Sequence, residues 1–284
     1  MSASELFLVA VFLLVDSLHF VFARLLLGLI SPAVSTMYVL GIATVEVGLW
    51  GLIRRRLNLG TLTRQVWFFL VVGFLIATST NINYEAVAFI DPGIASLLAK
   101  MSIPFGLGFG LVWLRDRLTK SQVIGTAIAI AGVFVVSFQP GDYLRLGSLL
   151  IVASAFMYAL HAAVVKRYGG QIEFVDFFFF RLLCTTGFLF LFSLGRRALV
   201  WPSGPAWLLL ALTATVDVVI SRALYYAALR RSSLSMFNIV LTMSPVITVL
   251  WSLLLFDTMP SLQQIVGGVA VLLGVLIVNW RASS

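Results

Sequence analysis

The chain has 284 residues, 61% of them hydrophobic and 11% charged, with a mean hydropathy of +1.08; ordinary globular chains carry about 25% charged residues. So few charges cannot cover the surface of a water-soluble protein of this size, and its core could not absorb so much apolar mass. A soluble enzyme and a disordered regulator are excluded, and lipid is the expected solvent. The net charge of +8 falls in short basic clusters between apolar runs, the pattern of charges that orient membrane spans rather than bind nucleic acid. The single cysteine, Cys184, lies inside an apolar run, so no disulfide framework is expected. The first apolar stretch carries Asp16 and His19 and no basic n-region, which does not fit a signal peptide.

A helix needs about 20 apolar residues to cross a hydrocarbon layer of about 30 Å. Taken in chain order, ten stretches meet that requirement: 4–24, 31–53, 66–89, 92–114, 119–138, 147–167, 174–195, 205–228, 233–256 and 262–280. Between them lie the breakers: Ser31-Pro32, Arg54-Arg55-Arg56, Asp91-Pro92, Arg115-Asp116-Arg117, Gln139-Pro140-Gly141-Asp142, Gly169-Gly170, Trp201-Pro202, Arg230-Arg231 and Pro260. The loops are short, and no extramembrane domain is expected. With a cytoplasmic N-terminus, twelve of the 19 basic residues fall inside and four (Arg24, Arg145, Arg196 and Arg197) outside. The positive-inside rule therefore places both termini in the cytoplasm of a cell (inner) membrane protein.

A shift of about 141 residues brings the halves into register. His19 falls on His161, Arg54-Arg55 on Arg196-Arg197, Tyr84 on Tyr225, Pro104 on Pro245 and Asp116 on Asp257. After a one-residue insertion, Gly125 and Gly132 fall on Gly267 and Gly274. Two units are expected, 1–139 and 140–284. Each has five spans, an odd number, so they enter the membrane with opposite polarity. Inverted repeats of this kind are characteristic of secondary transporters.

The residues also carry a family likeness. Ala95-Ser96-Leu97-Leu98 through Ser102-Ile103-Pro104, then Leu114 to Leu118 and Gly125 to Val133, resemble the end of the repeated unit of the EamA-like branch of the drug/metabolite transporter superfamily. Tyr225 to Leu229, Leu241 to Val246 and Gly267 to Val275 repeat the likeness in the second half, and Ala155 to Leu160 resembles the start of a second unit. The resemblance implies an all-α integral membrane protein, ten helices in a 5+5 inverted repeat around a central cavity. It further implies alternating-access movement of small polar or amphipathic metabolites. Amino acids, nucleotide sugars, sugar phosphates and drugs all occur among such substrates, so family membership names none of them.

Ionisable side chains are costly inside a span, and each is a functional candidate by default. Asp16 and His19 share one face of the first span; their repeat counterparts are Tyr158 and His161. Together they are expected to line a central site able to bind a hydrogen-bonding substrate and pass protons. Lys100 replaces the apolar residue its repeat partner Leu241 provides, and either attracts an anionic substrate group or neutralises Asp16, Glu46 or Glu85. Arg181 and Asp217 read as a cross-helix salt bridge. Arg222 stands five residues after Asp217, about 140° around an α-helix, so it does not share that face and is left for substrate. Asn238 joins Asp16, His19, Lys100, Tyr158, His161 and Arg222 as a substrate-binding candidate; Asp16, Glu46 and Glu85 are the proton-coupling candidates. Asp176 and Glu173 sit near a span end and read as solvated.

Other features have plainer readings. Gly106-x-x-x-Gly110 reads as close packing within a monomer rather than a dimer interface. Pro104 and Pro245 should kink their helices, Phe177–Phe180 should face lipid, and Trp50, Trp67, Trp113, Trp201 and Trp280 should anchor the interfaces. No zinc motif, clustered metal ligands, nucleophile elbow or cofactor pattern is visible, which argues against an enzyme. The sequence therefore reads as a carrier of a small polar or zwitterionic, amino-acid-like metabolite, coupled to protons. Exchange of phosphorylated or nucleotide-type anions is the rival, and a membrane scaffold without transport a remote one.

Overall fold

The computed structural model describes residues 3–113, 115, 119–137, 146–170, 172–231 and 242–280, and every regular element among them is helical. Seven helical stretches are long and apolar enough to cross a bilayer, and three shorter apolar helices complete the ten expected positions. Spans 2, 3, 6 and 7 are single α-helices, Pro32–Ile53, Val66–Ala86, Leu146–Tyr168 and Phe174–Gly195. Spans 5 and 10 are Lys120–Ser137 and Leu262–Trp280. Exposed apolar side chains such as Trp67, Leu254 and Leu208 coat the outside, as a lipid-facing surface requires.

The other four spans are irregular. Span 1 runs Ala3–Asp16 and His19–Leu27, separated by Ser17 and Leu18. There Leu18 N turns back to Val15 O, and Ser17 Oγ donates to Leu14 O, competing with the helical ladder. Span 4 runs Pro92–Ala99 and Ser102–Val112. Pro104 has no N–H, and its ring opposes the carbonyl four residues earlier, that of Lys100. The chain tightens around that carbonyl, with Met101 N bonded to Leu98 O and Ile103 N to Lys100 O. The proline thus breaks the helix at the lysine. Span 8 consists of Gly204–Thr213, a π-helical segment Ala214–Ile220, and Ser221–Arg231. Span 9 is described from Thr242; after a turn at Met243 its helix runs Ser244–Phe256, with Pro245 in the first turn.

The inverted repeat is visible in paired contacts. Thr44 on span 2 hydrogen-bonds its counterpart Thr186 on span 7 at 3.0 Å, so the pseudo-twofold axis passes between them. Spans 5 and 10 cross backbone to backbone at four glycines. A Cβ on Gly125 would lie 2.5 Å from Gly274 O, and one on Gly132 2.7 Å from Gly267 O, with the reciprocal approaches equally tight. Arg55 and Arg197, just after spans 2 and 7, both take left-handed conformations (φ 51° and 52°). Arg115 and Asp257, after spans 4 and 9, do the same (φ 60° and 51°), so Asp257 corresponds to Arg115 rather than to Asp116 as the sequence register has it.

Three expectations change. A Cβ on Gly106 or Gly108 would meet nothing while Gly110 is buried, so only one glycine of the Gly106-x-x-x-Gly110 motif is packed, and the closest small-residue packing described lies at the span 5–span 10 glycines. Phe178 and Phe180 are buried rather than lipid-facing: Phe180 packs edge-on against Phe69 of span 3, and Phe178 stacks on Phe174 and lies beneath the Arg181 guanidinium. Asp176 is buried, not solvated. Its carboxylate accepts from Asn58 N at 2.9 Å and Thr61 Oγ1 at 2.7 Å, fastening the short helix Leu59–Arg64 to span 7.

Candidate functional site

All four irregular spans meet at one cavity of about 400 Å³. Its wall takes Asp16, His19 and Phe20 from span 1, Ala99, Lys100 and Ser102 from span 4, Asp217, Val218, Arg222 and Tyr225 from span 8, and Ser244 from span 9. Spans 2, 3, 6 and 7 close it with Thr36, Ser79, Asn83, Tyr84, Ser154, Tyr158 and Arg181 among others, and among the described residues none of spans 5 or 10 lines it.

The break in span 1 is held from span 9. Ser244 Oγ donates to Asp16 Oδ2 at 3.0 Å, Thr248 Oγ1 to Ser17 O at 3.0 Å, and Trp251 Nε1 to Ser17 Oγ at 3.0 Å. Asp16 and His19 flank that break, one turning toward span 9 and the other toward span 8. His19 Nδ1 lies 2.8 Å from Asp217 Oδ2, and the His19 ring stands edge-on to Tyr84. The expected partner of Asp217 was Arg181; the carboxylate is instead paired with His19, while Arg181 lies over the Phe177 and Phe178 rings.

The π segment changes which residues share a face. In an α-helix Asp217 and Arg222 would point about 140° apart. A π-helix bonds each residue to the fifth along, so residues five apart stand one turn above another. The Ser221 N–H does bond Val216 O, and both Asp217 and Arg222 line the cavity. Arg222 lies within electrostatic reach of Asp16, Asp217 and Tyr158 and over the Tyr225 ring. Lys100, at the proline-induced break, has Asp16 as its charged neighbour. Among the described residues the lining thus carries three cations (Lys100, Arg181 and Arg222) and two carboxylates (Asp16 and Asp217); Ser244 donates to Asp16, and His19 pairs with Asp217.

An all-helical chain with two crossing halves, broken spans and a central polar cavity is a carrier architecture, and the comparisons agree. The profile of the EamA-like transporter family matches twice, over residues 3–138 and 145–280. The chain belongs to that family. This makes it a membrane transporter of the drug/metabolite type. An uncharacterized transporter of Synechocystis sp. is 23% identical over 235 residues, covering 78% of this chain and 67% of its own. A WAT1-related protein of Arabidopsis thaliana is 22% identical over 302 residues, covering 89% and 78%. One solved crystal structure shares the fold over the full length of both chains, with a TM-score of 0.66 at 19% identity.

In this EamA-like transporter the structure brings Asp16, His19, Lys100, Tyr158 and Arg222 to one cavity. His161 is buried beside Tyr158, ring centroids 5.4 Å apart, and is not part of the lining. Glu46 accepts from Thr215 Oγ1 at 2.7 Å, and Glu85 is held by Asn81 and by an ion pair to Arg196; neither lines the cavity. Asn238 lies outside the described residues. Sequence reasoning did not select Tyr84, Tyr225 or Ser244. The first two were nonetheless marked by the repeat, which pairs them as matched tyrosines.

Proposed function

We propose that the transporter is a secondary-active, alternating-access carrier of a small zwitterionic, amino-acid-like metabolite. In this reading Lys100 and Arg222 take the carboxylate end of the substrate, while Asp16 with Tyr158 receives the ammonium end. The observation that carries it is the mixed lining: a 400 Å³ cavity whose wall carries both cations and carboxylates, sized for a small molecule. Both termini face the cytoplasm, the membrane is the cell (inner) membrane, protons are the coupling ion, and the working unit is a monomer.

A second reading has its own support. By sequence, four intramembrane carboxylates outweigh three cations; in the cavity the balance is three cations to two carboxylates, because Glu46 and Glu85 are engaged elsewhere. That surplus favours an exchanger of anionic, carboxylated or phosphorylated metabolites. A thermal-shift panel on detergent-purified protein separates the two. A ligand at 100 times its Kd adds about 2.7 kcal/mol of apparent stability, so amino acids raise Tm under the first reading and phosphorylated anions under the second. A carrier stabilised by neither class would refute both. Lys100→Ala should abolish uptake of the stabilising compound while the protein inserts and folds; near-normal kinetics in that variant would remove Lys100 from the site.

A further inference from the structure

The polar groups not absorbed by substrate recognition converge on His19. Its Nδ1 faces Asp217 Oδ2 at 2.8 Å, Asp217 is almost fully buried, and the His19 side chain remains one-third exposed where the cavity opens. Among the described residues Nε2 has no hydrogen-bond partner of its own. The pair is also the described side-chain ion pair joining span 1 of the first repeat to span 8 of the second. Both of its helices depart from α geometry at the contact: span 1 breaks at Ser17-Leu18 and span 8 is π-helical through Asp217. A bond that meets each half at an irregular point can move with both halves without unwinding a regular helix.

We infer that His19 and Asp217 together form the proton-binding site that couples this carrier to a pH gradient, an inference that rests on the carrier reading above. The resting pair is a neutral imidazole donating Nδ1–H to the Asp217 carboxylate. A proton from the cavity adds to Nε2, giving an imidazolium–carboxylate pair, and leaves from Nε2 when the cavity opens to the other side; the Nδ1–H bond is kept throughout. No net charge change is left behind after a cycle.

The surroundings suit a reversible site. Asp16 on the same span brings negative charge near the ring, and Arg222 from span 8 brings positive charge. Lys100 of span 4 and Arg181 of span 7 contribute further basic groups to the cavity wall, while Tyr84 of span 3, Tyr158 of span 6 and Tyr225 of span 8 supply phenol hydroxyls. A cationic substrate end near Asp16, or an anionic one near Arg222, alters this balance, which is how substrate occupancy and proton occupancy would sense each other. Glu46 and Glu85 are outside the cavity and do not take part.

The chain has two histidines, so the site can be read directly. Protein labelled with ¹⁵N-histidine in lipid nanodiscs gives two ring systems; the one lost in His19→Gln is His19, and an unmoved His161 signal certifies the fold. The expected result is a His19 titration between pH 5 and 9 whose midpoint moves by about one unit or more in Asp217→Asn, as the loss of an adjacent charge requires. In proteoliposomes, uptake of a ¹⁴C-labelled amino-acid mixture should rise several-fold under an imposed pH gradient, and the ratio of uptake with and without the gradient should fall to about one in Asp217→Asn. A His19 ring that does not titrate, a midpoint indifferent to Asp217→Asn, or wild-type uptake that ignores the gradient would each overturn the assignment. Wild-type vesicles that move none of the labelled amino acids would instead overturn the substrate reading, and the titration then decides the proton site alone.

Discussion

Gly274→Ala tests the packing that joins the two repeats. The new Cβ would lie 2.5 Å from Ala129 N and 2.5 Å from Gly125 O, where ordinary contact is 3.4–4 Å. Both obstacles are backbone, so no side chain can rotate away and spans 5 and 10 must part by roughly 1 Å. Overpacking of this kind costs about 1–3 kcal/mol. Replacing a helical glycine by alanine returns about 0.5–1 kcal/mol. The net loss is therefore up to about 2.5 kcal/mol, or a Tm lowered by up to roughly 10 °C at 2–4 °C per kcal/mol. Gly106→Ala is the matched control: its Cβ meets nothing, so the helix gain stands alone and Tm should hold or rise slightly. Thermal unfolding of both variants in the same detergent reads the difference. A Gly274→Ala protein at or above wild-type Tm, or two variants shifting together, would refute the reasoning.

Three further outcomes follow from single contacts. Asp176→Ala should lower stability by about 1–3 kcal/mol and expose the 54–65 connection to protease, because the Asn58 amide and Thr61 hydroxyl lose their acceptor; equal cleavage rates would count against it. Ser79 and Ser154 each donate to the other's carbonyl across spans 3 and 6, so either single alanine variant should cost about 0.5–1 kcal/mol and the double variant less than the sum; additive losses would show that the pair does not act as a unit. Pro104→Ala restores the N–H that can bond Lys100 O, so it should raise Tm while lowering uptake, and unchanged uptake would detach the break from function.

The ten spans and the two halves were legible because both are written in features that lipid enforces. Apolar runs of about 20 residues end at charges, and Gly125, Gly132, Gly267 and Gly274 recur in register because two backbones must touch there. Pro104 announced a kink, and its chemistry also gives the place, at the carbonyl of Lys100. The interruptions of spans 1 and 8 had no such signal. Between Asp16 and His19 stand only Ser17 and Leu18, and the turn is fixed by Thr248 and Trp251, more than 200 residues away. The segment Ala214–Ile220 has neither proline nor glycine. Thr215 is held by Glu46 of span 2 and Asp217 by His19 of span 1, two anchors two residues apart that point to different neighbours. A widened turn satisfies both, and only the tertiary structure supplies them.

The same gap explains why burial in a span selected candidates well and sorted them badly. A helix apolar all round carries no amphipathic stripe to say which face meets protein, cavity or lipid. Depth in the bilayer alone therefore does not separate Asp16, Glu46, Glu85 and Asp217. Their partners distinguish them: Glu46 binds a hydroxyl of span 8, Glu85 an arginine after span 7, and only Asp16 and Asp217 face the cavity. The cations behave differently, since Lys100, Arg181 and Arg222 all reach the lining. A sequence count that favoured negative charge becomes a site that favours positive charge. The repeat adds a second consequence. His19 has Asp217 as its partner in the other half, while its counterpart His161 is buried beside Tyr158 and outside the cavity lining. Two halves of nearly equal fold thus carry unequal chemistry, the asymmetry on which the proposed proton site rests.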